Sequence, residues 1–194
     1  ILEKLNLSPR KYILLSAHRE ENIDTEKNFF SLFGAINSLA EKYDSPILYS
    51  CHPRSKKRLD ESGFKLDKRV VRHEPLGFHD YNKLQMNALA VVSDSGTLPE
   101  EASFFTSINK PFPAVCIRTS TERPEALDNA CFILAGITKK SLLNAVQTAI
   151  SMRDNGDNGV PVPYYTDENV STKVVKIIQS YTEIVNRTVW KKEN

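Results

Sequence analysis

Four segments of this chain carry side chains suited to gripping an anion or moving a proton, and each follows a short apolar run. One reads Ser93-Asp94-Ser95-Gly96-Thr97-Leu98-Pro99-Glu100-Glu101. A turn of small residues that opens a helix presents free amide N–H groups at the positive end of the helix dipole, and Gly96 lets an anion come close to the backbone. The same residues also make an ordinary Ser/Asp helix cap. Glu101, one turn further on, can accept hydrogen bonds from ribose hydroxyls or stand as a solvated helix charge. A second segment, Arg118 to Ala126, places Arg123 before a proline-started helix, where its guanidinium fork can reach a diphosphate or pair with Glu122 or Glu125. In the third, Ala17-His18-Arg19-Glu20-Glu21-Asn22, His18 and Arg19 offer a proton donor and a cation; His52-Pro53-Arg54 repeats that arrangement in the fourth. Structural loop histidines fit either position equally well. Tyr81 can stack on a base or pack against the core.

These segments need elements to hold them. Tyr12 to Ser16, Ile47 to Ser50, Val70 to Arg72, Leu89 to Ser93, Ala114 to Ile117 and Phe132 to Leu134 read as strands, the fourth being apolar enough to be buried on both faces. Between the first two strands, Phe29, Leu32, Phe33, Ile36, Leu39, Ala40 and Tyr43 recur at steps of three and four, with Asp24 or Thr25 placed to cap the helix. The stretch 17–22 before that helix reads as a loop. Shorter helices are expected over Pro53 to Leu59, Tyr81 to Asn87, Glu100 to Phe105 with its start near Gly96 to Pro99, and Pro124 to Leu127. Two longer ones close the chain, from about Thr138 to Met152 and from about Val170 to Arg187. Strand–helix alternation of this kind predicts an α/β, doubly wound, Rossmann-like parallel sheet, in which ligands bind beyond the carboxyl ends of the strands.

The bulk properties narrow the function. The 26 basic and 24 acidic side chains, net charge +2, are interspersed without a like-charge block, so neither a nucleic acid nor a membrane surface is implied as partner. The three cysteines, Cys51, Cys116 and Cys131, have no C-x-x-C spacing, and His73 and His79 add no metal-ligand pattern, so no metal is expected and a reducing, cytoplasmic setting fits. No G-x-G-x-x-G, Walker A or G-x-S-x-G element occurs. The first residue is Ile1, and the stretch 1–11 is expected to be a linker arriving from a preceding domain, with 12–169 forming the nucleotide-binding domain and 170–194 a terminal helix.

Taken together, A-H-R-E-E-N at 17–22, S-D-S-G-T-x-x-E-E-A at 93–102 and T-E-R-P-E-A at 121–126 resemble the non-hydrolysing UDP-N-acetylglucosamine 2-epimerase family in order and spacing. The wording around Leu15 to Asp24, Tyr81 to Ala88 and Arg118 to Asp128 is most similar to the branch that makes UDP-N-acetyl-L-fucosamine for capsule and O-antigen. The resemblance implies a two-domain, GT-B-type architecture with this chain as the C-terminal half and UDP in the cleft. It implies that Ser95 and Gly96 hold the pyrophosphate, Glu101 the ribose, Arg19 and Arg123 the phosphates and Tyr81 the uracil, while His18 assists departure of UDP. The last helix would cross toward the other domain, which would supply the carboxylate base, and the complete protein would be a homodimer without a cofactor. The reaction implied is elimination of UDP followed by re-addition with inversion at C2. Two further readings share the fold: the donor-binding domain of a GT-B glycosyltransferase, and a non-catalytic nucleotide-sugar-binding module. Ser107 to Pro113 is a longer helix-to-strand connection than the resemblance implies, and Thr97 stands where many members have a second glycine.

Overall fold

The central strand runs are apolar on consecutive residues because those strands fill two cores. In the computed structural model, which describes residues 1–192, Ile13 and Leu15 point into one buried cluster, while Tyr12 and Leu14 point into another on the opposite face. The strands are β1 (Ile13–Ser16), β2 (Ile47–Ser50), β3 (Val70–His73), β4 (Ala90–Ser93), β5 (Ala114–Cys116) and β6 (Ile133–Leu134). They form one sheet in the order β3-β2-β1-β4-β5-β6, and every pairing is parallel. This order reverses direction between β1 and β4, the switch point where a doubly wound sheet opens a crevice.

Two helices cover one face. α2 (Glu26–Tyr43) starts where the Thr25 hydroxyl accepts the Asn28 amide at 3.3 Å, so Thr25 rather than Asp24 is its cap. Its Phe29, Leu32, Phe33, Ile36 and Leu39 are fully buried beside Leu142 and Val146 of α7 (Lys139–Asp154). Each such side chain contributes roughly 1.5–3 kcal/mol by leaving water. α4 (Phe78–Asn87) and α5 (Leu98–Ser107) cover the other face through Leu84, Leu98, Ala102 and Phe105. α4 begins three residues earlier than its apolar periodicity indicates, whereas α5 starts within the expected stretch, with Pro99 in its first turn, where the missing N–H is harmless. α3 (Pro53–Ser62) runs on to Gly63, which takes the left-handed conformation that ends it.

The stretch 17–22 is not wholly a loop. It contains a one-turn helix, α1 (Glu20–Ile23), whose Asn22 and Ile23 are buried. Burial of Asn22 is possible because its carboxamide donates to Asp94 Oδ2 and to the Ile117 carbonyl, contacts that sequence periodicity does not register. The long connection 107–113 also has a physical account: it tucks Phe112 against Phe105, ring centroids 5.7 Å apart, in the second core. Ile1, Leu2, Leu5 and Leu7 pack on the same core. α6 (Pro124–Asp128) follows β5, and α8 (Val170–Thr188) closes the chain with no buried side chain, its Val174, Ile177, Ile178, Tyr181 and Ile184 all exposed. No helix among the described residues is long and apolar enough to cross a membrane.

Cys51, Cys116 and Cys131 are free and buried. Burial raises all three thiols, Cys116 to about 11, because the thiolate is poorly solvated there. In the native chain at pH 8 a thiol reagent should therefore react slowly with all three cysteines, and the full equivalents should appear only on unfolding. Rapid native labelling of any one would contradict this packing.

Candidate functional site

The chemistry gathers where β1 and β4 part. Asp94 N continues the sheet by donating to the Ser16 carbonyl at 3.1 Å, and Ile117 N does the same to Ser93 at 3.0 Å. These bonds bring the loops after β1, β4 and β5 side by side. Asp94 is fully buried, and its Oδ2 accepts the backbone amides of His18 and Arg19, each at 2.8 Å, together with the Asn22 carboxamide at 3.1 Å. From the other side, the hydroxyls of Tyr49 in β2 and Ser55 in α3 both donate to the Ala17 carbonyl at 2.7 Å. The residue before His18 and the residue after it are thus both clamped.

His18 and Arg19 line a hollow of about 610 Å3 with Glu20, Glu21, His52 and Arg54. The rings of His18 and His52 lie 5.8 Å apart. The second His/Arg segment differs from the first, however. Arg54 is held by Glu20 at 2.6 Å and by both oxygens of Asp24 at 2.9 Å, and His52 Nδ1 caps α3 by accepting the Arg54 amide. By contrast, no carboxylate among the described residues pairs with the Arg19 guanidinium. Its Nη2 would lie 3.1 Å from a Cβ placed on Gly96, so Arg19 reaches over the turn that opens α5.

That turn is braced from within. Ser93 Oγ accepts the Ser95 amide at 3.0 Å, and Ser95 Oγ accepts the Thr97 amide at 3.3 Å. No side-chain hydrogen bond caps α5, and the Gly96 position in the turn before it lies close to both Arg19 Nη2 and Glu122 Oε2. Glu101, one turn into α5, is gripped on both oxygens: Thr97 Oγ1 donates at 2.8 Å and the buried Gln85 carboxamide at 2.6 Å. Each oxygen keeps a lone pair for a further donor.

Arg123 also sits at the cleft, but its partner is not the one its own loop offers. Nε donates to Glu100 of α5 at 2.7 Å and Nη1 to the Glu122 carbonyl at 3.0 Å. Arg118, which sequence reasoning passed over, is the more buried arginine and spans Glu21 and Glu122, each at 3.1 Å. It ties the β5 loop to α1. Tyr81 is half-buried against the second core, and burial raises its phenol well above the ordinary value. The Ser93 and Ser16 hydroxyls are its neighbours beneath the cleft. Phe78, one helical turn earlier, is 74% exposed and presents the larger open aromatic face. Asp94 and Gln85 were also missed. In the sequence Asp94 stands out only as a member of the S-D-S-G-T motif and a possible Ser/Asp helix cap, with nothing to mark it as the hub of the cleft, and Gln85 gives no signal.

The descriptive model of the family "UDP-N-acetylglucosamine 2-epimerase" matches residues 1–179. A UDP-N-acetylglucosamine 2-epimerase of Methanococcus maripaludis is 34% identical over 173 residues, 87% of this chain and 44% of the relative. Among solved structures, the UDP-N-acetylglucosamine 2-epimerase from Rickettsia bellii superposes with a TM-score of 0.81 at 38% identity, covering 98% of this chain and 50% of that one. The UDP-GlcNAc 2-epimerase of Methanocaldococcus jannaschii, in complex with UDP-GlcNAc and UDP, gives 0.79 at 30% identity over 92% of this chain and 48% of its own. The chain therefore spans about half the length of these relatives, and its six-stranded Rossmann-like sheet corresponds to half of a GT-B-type enzyme. Fold, motifs and matched length agree, and this chain belongs to the UDP-N-acetylglucosamine 2-epimerase family.

Proposed function

We propose that this chain is the UDP-binding, C-terminal half of a UDP-N-acetylated-sugar 2-epimerase. The observation that carries the reading is the convergence, at one switch point, of a helix N-terminus without a side-chain cap, the Arg19 guanidinium, which forms no salt bridge among the described residues, and a doubly held Glu101. Ser95 and Gly96 receive the pyrophosphate at the N-terminus of α5, Arg19 and Arg123 neutralise it, and Glu101 accepts the ribose hydroxyls. Tyr81 meets the uracil end, with the open face of Phe78 beside it. His18 faces the bond that breaks.

The reaction is elimination of UDP across C1–C2 and re-addition with inversion at C2. Negative charge grows on the departing diphosphate, so donors and cations aimed there stabilise the transition state more than the ground state. The carboxylate that removes the C2 proton belongs to the other half of the enzyme, toward which the apolar face of α8 turns. The chain by itself binds UDP and does not catalyse. The capsule and O-antigen branch, with its N-acetylated amino-sugar nucleotides, supplies the substrate class.

Calorimetric titration of UDP, UMP and uridine into the chain tests the assignment. UDP should bind more tightly than uridine. Arg123→Ala should weaken UDP by roughly tenfold or more, since charge-assisted bonds contribute about 1.5–3 kcal/mol. Ser95→Ala should weaken it less, having removed a neutral donor. Equal affinities for UDP and uridine would sink the phosphate role.

A further inference from the structure

One oxygen of the buried Asp94 carboxylate is left over. Oδ2 is saturated by three donors, whereas Oδ1, equally buried, has no hydrogen-bond partner of good geometry among the described residues. The atom nearest to satisfying it is Nδ1 of His18 at 3.3 Å. An unpartnered carboxylate oxygen in the interior is costly, and a proton on Nδ1 of His18 is placed to offset that cost. A lone pair there would face the oxygen's own lone pairs and repel them.

We propose that Asp94 is a positioning residue that keeps Nδ1 of His18 protonated, so that only Nε2, the nitrogen on the exposed side of the ring, gains or loses a proton. The inference rests on the reading of His18 as the group facing the departing UDP. A neutral imidazole carries one N–H, and its tautomer is set by the partner of the other nitrogen. With the proton on Nδ1, the nitrogen on the Asp94 side of the ring, the neutral ring offers a bare Nε2 and the imidazolium offers Nε2–H. As the C1–O bond breaks, the proton held at Nε2 passes toward the diphosphate oxygen and the ring becomes the Nδ1–H tautomer, which Asp94 already accommodates. The same carboxylate holds the His18 and Arg19 amides through Oδ2, so ring and backbone are fixed by one residue. The neighbouring groups around the hollow are His52, Arg19, Glu20, Glu21 and Arg54, and the two acids nearest by sequence are committed elsewhere, Glu20 to Arg54 and Glu21 to Arg118.

The test is long-range 1H–15N NMR of the histidine rings in the 15N-labelled 194-residue chain at mildly alkaline pH, with His18 assigned by loss of its signals in His18→Gln. The expected result is a neutral His18 protonated at Nδ1. In Asp94→Asn the carboxamide oxygen can keep the three donors while its NH2 faces the ring, and the tautomer should invert to Nε2–H. Finding Nε2–H in the wild-type chain overturns the proposal, as does an unchanged tautomer in a folded Asp94→Asn. If that variant does not fold, the wild-type tautomer alone decides. In the complete enzyme Asp94→Asn should lower kcat by on the order of 100-fold with KM little changed, and should cost nothing further on a His18→Ala background; a full additional loss there means that Asp94 does not act through His18. The tautomer is read without nucleotide, so a chain that binds no UDP yet shows the expected ring state refutes the assigned function and leaves the role of Asp94 standing.

Discussion

Replacing His18 with alanine in the complete enzyme should lower turnover by roughly 100- to 10,000-fold, the range associated with a positioned proton donor. UDP affinity should change only a few-fold. The structure separates these two effects. The His18 backbone amide, which helps shape the cleft by bonding to Asp94, survives the substitution, and only a ring that is 38% exposed is lost. The turn that opens α5 and the Arg19 guanidinium, the groups proposed to hold the pyrophosphate, are untouched. The loss should therefore fall on kcat, the signature of an interaction made only in the transition state. Exchange of the C2 hydrogen with solvent deuterium, measured beside UDP titration, reads the two quantities independently. Turnover within fivefold of wild type would remove His18 from the chemistry. A fall in UDP affinity matching the fall in rate would make it a binding group instead.

The second large effect is on stability. Gly159→Ala should destabilise the chain by about 2–4 kcal/mol, because two separate costs add at one position. Gly159 has φ +77°, where an L side chain is strained by about 1 kcal/mol or more. A Cβ there would also stand 2.5 Å from the Ala130 carbonyl oxygen and 2.6 Å from that of Asn129, and these are backbone atoms that cannot swing aside. The neighbourhood is stapled: Val160 N donates to Asn129 O at 2.8 Å, Cys131 Sγ to Val160 O at 3.2 Å, and Val162 N to the buried Ser103 hydroxyl at 2.8 Å. A melting temperature lower by roughly 5–15 °C is expected for a chain of this size. Two other glycines serve as controls. Gly156 shares the positive φ, at +86°, but has open space around it, so its alanine variant should bear only the strain. Gly34 lies inside α2 with nothing within 4 Å, so alanine there should stabilise by about 0.5–1 kcal/mol. Equal losses at Gly156 and Gly159 would show that the close approach to Ala130 is not the cause.

Much of this protein was written in local pattern. Short apolar runs such as Tyr12 to Ser16 signalled strands, Leu89 to Ser93 one filled on both faces, the three- and four-residue spacing from Phe29 to Tyr43 signalled α2, and the alternation of the two implied a parallel, doubly wound sheet. The three motifs marked the family, and they lie at the carboxyl ends of β1, β4 and β5, where such a sheet binds ligands. What local pattern could not carry was the pairing of groups far apart in the chain. Arg54 is drawn to Glu20 and Asp24, Arg123 to Glu100 and Arg118 to Glu21, and Asp94 gathers His18, Arg19 and Asn22 from more than seventy residues away. Each of those contacts exists because β1 lies between β2 and β4, and β4 beside β5. Periodicity tells a segment which of its faces to bury; it says nothing about its neighbour in the sheet, and only that neighbour determines which cations are spent on salt bridges, which stay open toward the cleft, and which carboxylate oxygen is left facing a histidine.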